Sequence, residues 1–187
     1  MLVEDWITVW GKTIREQKET QNLAKLTDTI WKFFDSDFVL DTKFILQLHK
    51  DLLLGIEEEC LWKYRNIQVY IAGSDDILPK SKQIPKLIDS FIDFCNSKEK
   101  NTLKQIAKIQ YDFVKIHPFE DWNWRIARLL MNLFLVKQWF LPIIFPVVTR
   151  LEYITTFSKT KTLDDFYKYF LWQTNENYND YLRFFED

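Results

Sequence analysis

His117-Pro118-Phe119-Glu120-Asp121-Trp122-Asn123-Trp124-Arg125-Ile126-Ala127-Arg128 gathers one of the chain's two histidines, an aspartate, an asparagine and two arginines into twelve residues. The next run, Leu129-Leu130-Met131-Asn132-Leu133-Phe134-Leu135-Val136, is almost wholly apolar and predicts a buried helix starting near Asn123. Arg125 and Arg128 stand three residues apart and so share a face of that helix. The free N–H groups of its first turn carry partial positive charge, and with the two arginines they form an anion site. Asp121, set beside bound phosphates, suits a Mg²⁺ ion. His117 titrates near neutrality and can take a proton from a hydroxyl nucleophile. Together these residues suit metal-assisted phosphoryl or nucleotidyl transfer, in which positioning and charge stabilisation do most of the catalysis. The same residue types also make a plain His-Pro turn, an aspartate N-cap and a solvated arginine face, so residue types alone leave both readings open.

Working outward, the rest of the chain predicts a mainly α domain. Trp6, Ile7, Trp10, Ile14, Leu23, Leu26, Ile30 and Phe33 recur at helical spacing, and Asp41-Thr42 opens an amphipathic helix through Phe44, Ile45, Leu48, Leu52 and Leu53. His49 reads as a packed or surface histidine of that helix, not a ligand. Ile67, Val69 and Ile71 alternate and predict a short strand of one small β-hairpin, with a turn at Gly73-Ser74. Helices are predicted over 87–95, 103–116 and 123–140, and then near 151–158 and 163–185. Residues 1–40 read as an N-terminal helical segment packing on a core domain of 41–187.

Composition narrows the function. A chain of 187 residues with 47% hydrophobic residues has enough apolar mass for one packed domain. The net charge of −2 argues against nucleic acid as a partner. Asn132, Lys137, Gln138, Pro142 and Pro146 interrupt the most apolar stretch, which argues against a membrane span. Met1-Leu2-Val3-Glu4-Asp5-Trp6 lacks a basic leader, and Cys60 and Cys95 show no paired-ligand spacing, so a cytoplasmic location is expected. The three glycines, Gly11, Gly55 and Gly73, form no phosphate loop. A bound nucleotide would therefore have to be held by arginines and a helix N-terminus.

His117, Pro118, Phe119, Asp121, Asn123, Arg125 and Arg128 fall in register with His-Pro-Phe-x-Asp/Glu-Gly-Asn-Gly-Arg-x-x-Arg, and the chain resembles the Fic (Fido-domain) family that carries this motif. Leu48-His49, Tyr64-Arg65, Val69-Tyr70-Ile71-Ala72-Gly73-Ser74 and Ile84-Pro85-Lys86 resemble the family's second helix, the approach to its flap, the flap strand and the segment after the flap. The resemblance implies a helical Fic-type domain with a central motif-bearing helix and a hairpin flap. It implies transfer of AMP from ATP, with Mg²⁺, to a Ser, Thr or Tyr hydroxyl of a target protein. It implies His117 as general base, Asp121 as the metal ligand, and Asn123, Arg125 and Arg128 around the phosphates. It also implies that Tyr70, Ile71, Ala72, Gly73 and Ser74 align the target by strand addition.

Both motif glycines are tryptophan here, Trp122 and Trp124. Glycine takes a left-handed backbone freely and lets amides approach phosphate, whereas another residue there costs about 1–2 kcal/mol. The indoles either fill the phosphate site, turn into the core, or adapt the site to another donor such as UMP or phosphocholine. A catalytically inactive binding protein of Fic fold is the alternative to an attenuated transferase. Many relatives also carry an inhibitory Ser/Thr-x-x-x-Glu-Gly/Asn helix. No Ser or Thr here has Glu four residues on, so Glu176, followed by Asn177 but preceded by Trp172, stands as the candidate. A separate inhibitor protein is the other possibility.

Overall fold

The computed structural model describes residues 13–33, 37–57, 62–71, 74, 76–97, 102–145, 155, 157–158 and 162–186. Six helices carry it: α1 (Ile14–Ile30), α2 (Thr42–Leu53), α3 (Ile84–Cys95), α4 (Leu103–Ile116), α5 (Asn123–Lys137) and α6 (Leu163–Glu186). Thr155, Phe157 and Ser158 are helical as well. Most of these helices start where side chains satisfy their free amides. Thr13 and Glu16 form a reciprocal capping box at α1, and Thr102 and Gln105 form another at α4. The Asp41 carboxylate accepts from the Phe44 N–H at 2.7 Å to start α2, as the sequence predicts. Pro85 sits in the first turn of α3, so that helix begins before it, not after it.

Helix α5 is the centre. Ten of its fifteen residues are buried, including Ile126, Leu130, Met131 and Leu135, because helices cover it on several sides. It packs along α4, and α1 and α2 lie against it, whereas α6 packs on α4. The aromatic cluster Tyr111, Trp124, Phe157 and Phe166 joins α4, α5 and α6, with Trp124 edge-on to Phe157 at 4.9 Å. Cys95 is buried and free at the end of α3.

Two tethers seat α1. The Asn22 amide donates to the carbonyls of Leu52 and Leu54, each at 3.0 Å, and Lys18 Nζ donates to the Gly55 carbonyl at 2.7 Å. Gly55 has φ +69°, and a Cβ there would meet Lys18 Nζ at 3.3 Å, so glycine serves both the turn and the contact.

The segment from Ile67 to Pro79 is where the sequence predicts a hairpin. Ala72 and Gly73 lie outside the described residues, and among the described ones no strand ladder is formed. Ser74 N–H bonds back to Ile71 O at 3.1 Å in a turn, as its position predicts. Side chains hold the two limbs together instead. Gln68 Nε2 reaches Leu78 O at 3.3 Å, and Arg65 bonds to carbonyls on both limbs. Ile71 and Leu78 are buried, whereas Tyr70 and Ile77 are 79% and 96% exposed. No helix among the described residues is long and apolar enough to cross a membrane.

Candidate active site

The loop between α4 and α5 carries the motif, and its own hydrogen bonds fix its shape. His117 ends α4 in the left-handed region, φ 49°, with its N–H on the Phe113 carbonyl at 3.0 Å. Its Nδ1 lies 3.0 Å from the Val114 carbonyl. A carbonyl only accepts, so the proton sits on Nδ1 and Nε2 keeps its lone pair. Burial pushes His117 below its ordinary value. The Val114 bond opposes that shift, Arg65 adds to it and Asp121 opposes it. The imidazole is therefore neutral at pH 7 and ready to accept a proton.

Phe119 anchors the loop. Its ring stacks on His49 at 3.9 Å with the planes 4° apart. His49 is buried, and burial holds it down at about 4 against the pull of Asp121, so a neutral imidazole faces the ring. Asn123 closes the loop: its Oδ1 accepts from Phe119 N–H at 2.9 Å and its Nδ2 donates to Phe119 O at 2.8 Å. The side chain is 1% exposed and spent on the loop's own backbone. Asn123, expected among the groups around the phosphates, locks the turn that leads into α5.

Trp122 keeps the backbone that glycine would take, φ 70° and ψ 1°, and its carbonyl accepts from Arg125 and Ile126 as the N-cap of α5. Its N–H donates to Asp121 Oδ1 at 2.6 Å. The indole is buried and lies beneath Arg125, whose guanidinium carbon sits 4.0 Å from the ring centroid. Arg125 also donates to Glu19 Oε2 at 3.0 Å, joining α1 to the motif across 106 residues. Two buried donors in this group, Trp122 Nε1 and Arg125 Nη1, have no hydrogen-bond partner among the described residues. Trp124 is half-buried and turned to Phe157, away from this group. Arg128 lies one turn further along α5, half-buried.

The structure thus gathers His117, Asp121, Trp122 and Arg125 at one helix entrance. Asp121 is exposed and keeps one oxygen clear of the Trp122 N–H, which suits a hard cation shared with substrate phosphates. Glu176 is exposed on α6, which packs on α4. Glu19 is a carboxylate that reaches a motif arginine, Arg125, at 3.0 Å. The sequence holds a faint signal for it: Glu19 is followed closely by Asn22, but Arg15 stands where the inhibitory pattern has Ser or Thr. The sequence marks Arg65 only as part of the approach to the flap, whereas the fold buries it against the His117 carbonyl.

The described residues form a mainly helical domain in which a His-Pro-Phe loop feeds a buried central helix. The chain belongs to the Fic/DOC family, whose model matches residues 39–135. It is similar to protein adenylyltransferase fic-1 of Caenorhabditis elegans, 28% identical over 161 residues, which cover 81% of this chain and 30% of that protein. Protein adenylyltransferase Fic of Nematostella vectensis is 32% identical over 160 residues, covering 81% and 36%. The chain thus spans about a third of the length of these curated relatives. Among solved structures, a segment of C. elegans Fic-1 superposes with a TM-score of 0.83 at 24% identity, over 96% of this chain and 55% of that one. A Fic-domain signaling protein of Bacteroides thetaiotaomicron superposes at 0.74 and 20% identity, over 88% and 70%. These two likenesses carry the fold.

Proposed function

We propose that this domain transfers AMP from ATP to a hydroxyl side chain of a target protein. The hydroxyl oxygen attacks the α-phosphorus and forms the new P–O bond. The bond to the β-phosphate breaks, pyrophosphate leaves, and the hydroxyl proton passes to Nε2 of His117. The names of the relatives support the reaction class. The single observation that carries it here is His117, neutral and with Nε2 free because Val114 holds Nδ1.

The amides at the start of α5, Arg125 and Arg128 would face the polyphosphate, where charge-assisted bonds are the strong ones. The buried Nη1 of Arg125, without a hydrogen-bond partner among the described residues, suits a phosphate oxygen. Asp121 would hold Mg²⁺ together with the phosphates, and the ion would neutralise charge gathering on the leaving group. The segment from Tyr70 to Ser74 would align the target's backbone near His117. Labelled ATP with Mg²⁺, incubated with the protein and a cell lysate, tests the reading. Labelled polypeptide and released pyrophosphate are expected, and no binding of ATP at millimolar concentration in calorimetry would overturn it.

One observation favours a restrained state. Glu19 holds Nη2 of Arg125 and the Trp122 face lies beneath the guanidinium, so a polyphosphate competes with a carboxylate for its charge. A part-exposed pair of this kind is worth about 1 kcal/mol, so Glu19→Gln is expected to tighten ATP roughly fivefold. A domain that binds no ATP with or without Glu19 is the non-catalytic binding protein instead.

A further inference from the structure

We propose that Arg65 is a positioning residue for this reaction: its buried guanidinium ties both limbs of the target-facing loop to the peptide that carries His117. The inference rests on the proposed transfer activity for its role, and on geometry for its existence.

Arg65 is 3% exposed. Its Nε donates to His117 O at 2.7 Å, its Nη1 to Ile67 O at 2.9 Å and its Nη2 to Pro79 O at 2.6 Å. Its backbone N–H adds a fourth bond, to Pro118 O at 2.9 Å. No carboxylate among the described residues pairs with it. A cation buried against carbonyls alone is expensive and is retained where its geometry is needed. The guanidinium is planar and rigid, so its three donors fix three carbonyls in one plane. Those carbonyls come from the first limb of the loop, the second limb, and the left-handed residue that ends α4.

The loop's other braces lack this reach. Gln68 joins limb to limb. Asp76 joins Lys115 on α4 at 2.5 Å. Arg65 bonds to the His117 carbonyl itself, and so sets where a target backbone laid along the loop stands relative to Nε2. In such reactions a misplacement of about 1 Å costs on the order of a hundredfold in rate.

The chain has two histidines, so the ring signals of His49 and His117 can be followed separately by NMR. Arg65 is among the charges that lower His117. Arg65→Lys keeps a charge and loses the fork, whereas Arg65→Gln loses both. In both variants we expect amide exchange across 67–71 and 76–78 to quicken, and kcat/KM for the target to fall about tenfold to a hundredfold. ATP affinity should stay within about twofold, because the phosphate groups of α5 are untouched. The His117 titration should move up in Arg65→Gln and stay near the wild-type value in Arg65→Lys.

Unchanged loop exchange and unchanged target kinetics in Arg65→Lys would overturn the proposal. So would a loss of ATP affinity in step with transfer, which marks general damage to the fold. If Arg65→Gln does not fold, Arg65→Lys decides. If the wild type transfers nothing, the proposed activity falls, and exchange and titration still decide whether Arg65 couples loop to histidine.

Discussion

Helix α5 has a left-handed tryptophan at each end, Trp122 at φ 70° and Trp139 at φ 64°. The backbone states match and the reasons do not. At the C-terminal end, Trp139 N–H bonds to Val136 O at 3.1 Å and Phe140 N–H to Leu135 O at 3.0 Å. This is a Schellman ending, which any residue willing to turn left-handed completes and glycine completes best. Trp139 is 74% exposed. At the N-terminal end, Trp122 is 6% exposed, lies under Arg125 and gives its N–H to Asp121. There the strained residue also supports the groups that would meet phosphate. Strain at one end of α5 serves a local stop signal, and at the other it serves a site.

Catalysis should separate the two ends most sharply. His117→Ala is expected to cut transfer by about 10²–10⁴-fold, the usual worth of a general base, while Trp139→Ala leaves it unchanged. Labelled AMP incorporation measures both. Equal losses would mean that the N-terminal end has no chemical privilege.

Next in size is a pH effect confined to the N-terminal end. His49, stacked on Phe119, is held at about 4 in the fold, against about 6.5 in an unfolded chain. Between these values the unfolded state binds more protons, so stability rises with pH. The contribution is complete above about pH 6.5 and disappears as pH falls towards 4, for a total of about 3 kcal/mol. His117 is shifted in the same direction. Urea unfolding from pH 7 to 4.5 reads this. His49→Phe keeps the stack and should flatten the slope, and an unaltered slope in that variant would remove His49 as its source.

The tryptophans themselves sharpen the comparison. Trp122→Gly removes a buried indole at about 3–5 kcal/mol and relieves about 1–2 kcal/mol of left-handed strain, for a net loss of about 2 kcal/mol. The smallest effect is the opposite one. Trp139→Gly relieves the same strain with little packing to lose, and after the entropy cost of glycine it should stabilise by about 0.5–1 kcal/mol. Thermal melts of the two variants are expected to move in opposite directions, and a shared direction would dissolve the contrast.

Much of the fold could be read directly. Asp41 starts α2, His117-Pro118 stops α4, and the apolar run after Asn123 is the buried central helix, because each signal acts over a few residues of backbone. The hairpin reading shows the limit. Alternation at Val69 and Ile71 does mark the residue that turns inward, Ile71, but a strand also needs a partner, and among the described residues side-chain bonds from Arg65 and Gln68 join the limbs. The candidate site divides the same way. Its residue types and spacing are visible as a motif, but which groups those side chains satisfy is not. Asn123 bonds to both backbone groups of Phe119, and Glu19, far away along the chain, comes to Arg125.

By itself, then, the sequence determined most of the helices, the Asp41 cap of α2 and the motif that sets a histidine, an aspartate and two arginines around the start of α5. Local hydrogen bonding and apolar periodicity act within a few residues, and residues that close dictate each other's geometry. Tertiary structure decided how that site is held and restrained. Arg65 meets carbonyls 14 and 52 residues away, and Glu19 meets Arg125 across 106. Contacts at that range exist only after α1, α2 and α4 have packed around α5, so the chain's local patterns mark such residues faintly and do not name their partners.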